Sequence, residues 1–190
     1  MTTISTVSIA NGALTLLGDK LITDLTENTE QGRAVNARYE HVRDAVTRAH
    51  PWKSALSLAN IATNATTPEW GFTNEFNLPT DPYCLRVLEI EDLEMEQWEV
   101  QGRKVFCDNS SINIRYIKRL LDPMQMDALL IDAISARLAH DVAYRLTGSR
   151  AMRGDMWRHY QEVLKEARSI NGQEGLPPTI SSDIFTEARL

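Results

Sequence analysis

The sequence predicts a mainly α fold, an elongated four-helix bundle carrying a small antiparallel β insertion and ending in an extended C-terminal arm. Three observations predict it. Apolar residues recur every three or four positions in two segments before residue 54 and two after residue 118. Between them the pattern turns to short alternating runs separated by turn residues. After Gly172 all periodicity is lost.

The first helix is expected from about Ser5 to Leu17, with Val7, Ile9, Ala10, Ala13, Leu14 and Leu17 on one stripe and Gly18 ending it. A polar link follows, with Leu21, Ile22 and Leu25 available to tuck under neighbouring helices. Asn28 or Thr29 caps a second helix running to about His50, where Pro51 breaks it. Its buried stripe is Ala34, Val35, Tyr39, Val42, Ala45, Val46 and Ala49. The strongest helical signal is the hairpin from Asp122 to Gly172, folded at Thr147-Gly148-Ser149. Asp122 is read as N-cap with Pro123 at the first helical position, Gly148 as the left-handed residue closing the helix, Ser149 as the next cap and Gly172 as the stop. At 20 to 24 residues each, the long helices would span roughly 30 to 36 Å.

The insertion reads as four or five strands. Leu56, Leu58 and Ile61 lie in the first, Trp70 to Leu78 alternates, and Tyr83 to Ile90 follows the turn Pro79-Thr80-Asp81-Pro82. Trp98 to Cys107 makes a hairpin about Gln101-Gly102-Arg103, and Ile112 to Ile117 closes the set. The domain reading is therefore 1–53 with 119–172 as the helical bundle, 54–118 as the inserted sheet region, and 173–190 as the arm.

At 190 residues, 43% hydrophobic and 24% charged, the composition is that of a folded soluble chain with one real core. A net charge of -6 argues against a protein built to grip a nucleic-acid backbone. The two cysteines, Cys84 and Cys107, sit in strand-like surroundings and read as small core hydrophobes. The N-terminus lacks the basic start of a signal peptide, and no apolar run approaches the ~20 residues of a membrane span, so a soluble protein made in the cytoplasm is expected.

Walker A, Gly-x-Ser-x-Gly, His-Glu-x-x-His, paired Cys-x-x-Cys and the Glu-x-x-His of di-iron bundles are all missing from the sequence, and no cofactor or metal is expected. Asp155 and His159 share a helix face, a spacing that suits a salt-bridged surface as well as a ligand pair. His41, His50 and His140 read as surface or capping residues. One stretch stands out. Glu89, Glu91, Asp92, Glu94, Glu96 and Glu99 follow one another with no basic residue between them. The expectation is a loop presenting a negative surface, one that repels DNA phosphates and suits a conduit rather than a clamp.

The order of these motifs resembles one family. SIANGALTLLGDKLITDLTENTEQGRAVNARYEHVRDAVTRAHPW looks like the N-terminal signature of the tail tubular protein A family, the head-to-tail adaptors of short-tailed phages. FNLPTDPYCLRVLEIE is similar to its strand entry, QGRKVFCDNSSINIRYIKRLLDP with ARLAHDVAYRLTGS to its hairpin and third helix, and SSDIFTEARL to its terminal arm. The resemblance implies a non-enzymatic virion protein in a dodecameric ring. The ring would join the portal protein above to the tail nozzle or another tail protein below, and let double-stranded DNA pass without specific binding and without a membrane. It further implies that Ile184, Phe185 and Arg189 of the arm contact the portal, and that Glu89, Glu91, Asp92, Glu94 and Glu96 face the channel or the tail. Two other classes are weighed against it. Abundant acids allow a carboxylate-dependent hydrolase, and the arginines of the second helix allow a DNA-binding regulator, although the balancing Glu30, Glu40 and Asp44 count against the latter.

Overall fold

The fold is taken from a computed structural model, which describes residues 4–174. Four α-helices are present, α1 (Thr6–Leu17), α2 (Glu30–Ala49), α3 (Ala128–Thr147) and α4 (Arg150–Glu174). Between α2 and α3 run six strands, β1 (Leu56–Ala62), β2 (Asn74–Asn77), β3 (Cys84–Ile90), β4 (Trp98–Gln101), β5 (Lys104–Cys107) and β6 (Ser111–Lys118).

This arrangement overturns the expectation of a mainly α, four-helix bundle with a small β insertion. The strands form two three-stranded antiparallel sheets, ordered β1-β6-β3 and β2-β5-β4, and the chain is a mixed α/β fold. The two sheets enclose an apolar cluster of their own, built on Phe76, Val105, Cys107, Ile112, Ile114 and Tyr116. Alternation within a short strand says which face is buried but not which strand it pairs with, so one sheet of four or five strands was as compatible with the pattern as two of three. The helices also depart from a square bundle. α3 packs against α1, α2 and α4, so it is a hub rather than one corner of four.

The local reasons for the helices are visible. Ser5 and Ser8 make a reciprocal capping box at the start of α1. The Thr29 hydroxyl accepts from the Gly32 N–H at 3.1 Å to start α2. Ser149 caps α4 by accepting from the Met152 N–H at 3.1 Å. Gly148 closes α3 at φ 66°, in the left-handed region glycine enters without penalty. Two boundaries differ from expectation. Asp122 and Pro123 open a single 3-10 turn, and α3 proper starts six residues later with Asp127 as its cap, accepting from the Leu129 N–H at 2.8 Å. Helix α4 runs through Gly172 to Glu174, because an interior glycine weakens a helix by about 1 kcal/mol without ending it.

The helical core surrounds α3, with Leu130, Ala133, Ile134, Leu138, Ala139 and Val142 buried against Ile9, Leu14, Val35, Val46 and Leu164. Helices α1 and α3 approach closely at Gly12, where an added Cβ would lie 2.9 Å from the Ser135 hydroxyl. That hydroxyl donates to the Ile9 carbonyl at 3.1 Å, so the crossing is polar and tight at once. Arg38 of α2 donates to Asp141 of α3 at 2.6 Å. Trp52, just past α2, is fully buried and donates its indole N–H to the Val46 carbonyl at 3.0 Å. His50 stands at the C-cap of α2, the capping alternative of its sequence reading, and is buried edge-on to Trp52 with ring centroids 4.9 Å apart rather than on the surface.

The helices and sheets are joined by a polar pin. Tyr83 lies between two guanidinium groups, Arg103 at 4.0 Å and Arg119 at 4.2 Å from the ring centroid. Arg119 also pairs with Asp44 of α2 at 2.6 Å. Arg103 donates to the carbonyls of Cys84 at 2.5 Å and Pro79 at 2.6 Å. Arg48 of α2 donates to the Leu85 carbonyl at 3.0 Å, which covers part of the outer edge of β3.

Candidate functional site

Three surfaces carry unusual chemistry. The first is the acidic stretch, which in space is not uniform. Glu89, at the end of β3, pairs with Arg115 on β6 at 3.0 Å, and Glu91 accepts from the Asn113 side chain at 2.6 Å. These two acids belong to the polar outer face of the β1-β6-β3 sheet. Asp92 turns the chain at φ 61°, a conformation that aspartate tolerates better than most residues. Beyond it, Glu94 and Glu96 flank Met95 on a short 3-10 turn, Met95–Gln97, which is fixed where the Glu94 N–H donates to the Gln97 side chain at 2.7 Å. Glu94, Glu96 and Glu99 are exposed, and Met95 is 77% exposed. The structure therefore pairs Glu89 with an arginine, ties Glu91 to a neutral amide and leaves an acidic knob with an apolar tip at Glu94-Met95-Glu96.

The second surface is an open groove of about 360 Å³ beside β2 and β5, with Trp70, Phe72 and Phe106 on its walls and Glu75 and Lys104 on its floor. The Glu75 side chain is only 6% exposed. It is held by the Lys104 ammonium at 2.7 and 2.9 Å, the Thr66 hydroxyl at 2.6 Å and the Asn64 amide at 3.0 Å. The Lys104 contact, with help from Thr66 and Asn64, brings the Glu75 carboxyl down from 4.5 to about 2. A carboxylate so fully engaged is a poor proton carrier at neutral pH and a good fastener. Sequence reading missed this group because Asn64, Thr66, Glu75 and Lys104 are scattered over 41 positions and meet only through the β2–β5 pairing of Asn77 with Lys104.

The third surface is the outer side of α3 and α4. Between residues 137 and 158 there are five arginines against two aspartates, a basic excess in a chain of net charge -6. A groove of about 580 Å³ is lined there by His140, Tyr144, Arg150, Arg153, Gly154 and Trp157. Tyr144 is 49% exposed and Trp157 39%. Arg137 lies over Trp157, 5.1 Å from its centroid, and the His140 ring is also 5.1 Å from Trp157. Sequence reading followed the opposite, apolar stripe of these helices. The available signal was Tyr144 and Trp157 interleaved with arginines on the polar face.

The remaining sequence candidates are simply placed. Asp155 pairs with Arg158, so the salt-bridged reading of the Asp155–His159 face has a direct partner. Cys84 and Cys107 are free and buried, and burial pushes both thiols up. Ile184, Phe185 and Arg189 lie outside the described residues, as does the arm from residue 175 onward. Among the described residues no group of three or more His, Cys, Asp or Glu is arranged to hold a metal ion, and no helix is long and apolar enough to cross a membrane. Compared with known families the chain matches none, and no characterised protein is significantly similar to it in sequence.

Proposed function

We propose that the chain is a structural subunit of a phage virion, a head-to-tail adaptor that assembles with copies of itself between the portal and the tail around the path of the DNA. The observation that carries this reading is the order of motifs along the chain, and exposed apolar side chains on several elements are compatible with it. Leu58 on β1, Trp70 before β2 and Met95 before β4 project from the sheets. Leu121 and Met124 do so where the sheets return to the helices, and Tyr144 and Trp157 on the α3–α4 face. Single exposed apolar side chains are ordinary on a monomer, but on a ring subunit, with neighbours on both flanks and partners above and below, they are available as contacts. In this reading the protein has no catalytic role, resides in the virion, and uses residues 175–190, with Ile184, Phe185 and Arg189, to engage the portal.

Electron microscopy of the protein mixed with portal rings encoded by the same genome tests the proposal. Rings stacked on the portal are expected, and persistent failure to dock sinks it. Deleting residues 175–190 is expected to abolish docking while leaving the helical and sheet cores folded. Docking that survives the deletion removes the role given to that segment.

A further inference from the structure

We propose that the α3–α4 groove is the receptor for the Glu94-Met95-Glu96 knob of a second copy of this chain. The inference rests on the reading that copies assemble, and it names the contact by which they do so.

The groove has the features of a surface awaiting a partner. Arg150 and Arg153 are exposed and make no ion pair among the described residues, whereas Arg137, Arg158 and Arg38 are all paired with aspartates. Tyr144 and Trp157 present exposed ring surface beside them. The groove wall is fixed from within, since His140 Nδ1 lies 2.9 Å from the Arg153 carbonyl oxygen. Gly154 supplies an independent sign. It lies inside α4, where glycine weakens a helix relative to alanine, yet a Cβ there would meet nothing within 4 Å. No neighbour among the described residues gives a reason for glycine at that position. A partner that approaches the helix backbone closely does.

The knob is complementary in each respect. Met95 is a flexible thioether that is 77% exposed, and such a group packs favourably against aromatic rings. The carboxylates of Glu94 and Glu96 stand on either side of it, matching two unpaired guanidinium groups that bind carboxylates through paired hydrogen bonds. The knob does not fill its own chain's groove, because Met95 stays exposed and no residue of the knob lines that groove. A nucleic-acid backbone is the other polyanion the arginines would accept. The chain's net charge of -6 opposes it, and it leaves the apolar tip of the knob unused. Because knob and groove are different surfaces, their pairing is heterologous. Each copy gives one and receives one, so the contact propagates from copy to copy and closes where the rotation allows.

Charge reversal tests this on the full chain. The knob variant is Glu94→Lys with Glu96→Lys, and the groove variant is Arg150→Glu with Arg153→Glu. All four residues are exposed, and circular dichroism should show unchanged folding. In sedimentation, each variant alone should need at least about a hundredfold higher concentration than wild type to assemble, since like charges then face each other across the contact. Mixing the two variants should restore assembly, because each then meets an oppositely charged partner. Variants that assemble like wild type, or a mixture that stays monomeric, overturn the proposal. If assembly is untouched while the groove variant alone loses binding to a duplex oligonucleotide, the groove belongs to a phosphate backbone and the proposal falls. Portal docking separates the two readings. Docked rings that ignore both variants sink this contact and leave the adaptor standing. Assembly that obeys the charge pattern without docking on the portal does the reverse. A wild-type chain that remains monomeric both alone and with portal rings removes both.

Discussion

Around α3, the helical half buries a continuous apolar mass with few polar groups in it, of which the Tyr39 hydroxyl has no hydrogen-bond partner and others are satisfied close at hand. Thr47 donates to the Arg43 carbonyl at 2.7 Å and Ser135 to the Ile9 carbonyl at 3.1 Å. The sheet half has a smaller cluster and is fastened differently. Glu75 is clamped by Lys104, Thr66 and Asn64, and Arg103 ties the turn before β3 to that strand through two carbonyls. The contrast follows from size. A small core buries too little surface to fix a fold by apolar contact alone, so it gains from specific polar fasteners whose cost is repaid only if every group is satisfied.

The comparison can be broken at several points. The largest effects are expected from truncating each core at a fully buried residue. Phe76→Ala in the sheets should cost about 3 to 5 kcal/mol and Ile134→Ala in the helices about 2 to 5 kcal/mol, read by denaturant unfolding. If the halves unfold together, both variants shift one transition. If the sheets open separately, Phe76→Ala alone should expose β-segment sites to proteolysis. Next is Gly12→Val. With a Cβ already 2.9 Å from the Ser135 hydroxyl, the larger side chain should push α1 from α3 and cost about 1 to 3 kcal/mol, and Ser135→Ala in the same chain should recover part of it.

Acid should then distinguish the halves. Burial holds the His50 imidazole below its ordinary 6.5, with Arg168 adding to the effect. Neutral His50 therefore contributes stability that is present above pH 6.5 and lost as the pH falls below it. Glu75, held at about 2 instead of 4.5, contributes stability that is complete above pH 4.5 and lost as the pH falls toward about 2. Amide signals around Trp52 should thus respond to acid before those around Glu75, and the opposite order would refute the assignment. The smallest predicted effect is a shift in titration. Lys104→Met removes the main cause of the lowered Glu75 value, so the carboxyl should titrate closer to 4.5 in an NMR pH series, while the His50 region stays unchanged.

The helical half was largely legible in the sequence, because a stripe repeated over 20 residues is redundant. Losing one position does not change the period, and Ser5, Thr29, Gly148 and Ser149 mark ends by local chemistry. The exceptions were the end of α4, which passes through Gly172, and the start of α3, where Asp122-Pro123 and Asp127 are both good starts and Asp127 is the one used. Strand positions were legible as well, but not their partition. The β1-β6-β3 sheet joins residues such as Leu56 and Ile117 across 61 positions, and nothing in either strand names the other. The same non-local pairing explains the acidic stretch. Of the six acids between Glu89 and Glu99, Glu89 is paired and Glu91 hydrogen-bonded because Arg115 and Asn113 arrive from β6, and the other four are exposed, Glu94 and Glu96 flanking Met95. The α3–α4 groove was missed for a simpler reason, since periodicity describes the face a helix buries and is silent on the one it shows.

The Tyr83 pin has a mechanical meaning. The chain passes between the halves twice, before β1 and after β6, and two such strands alone would let the sheets swing. Arg119, anchored on Asp44 of α2, and Arg103, both stacked on Tyr83, add an attachment to the Arg48–Leu85 bond and to the packing of Leu85, Leu88 and Ile117 on the helical core. Several separate attachments restrain the orientation of the sheets on α2 more than the two chain crossings do.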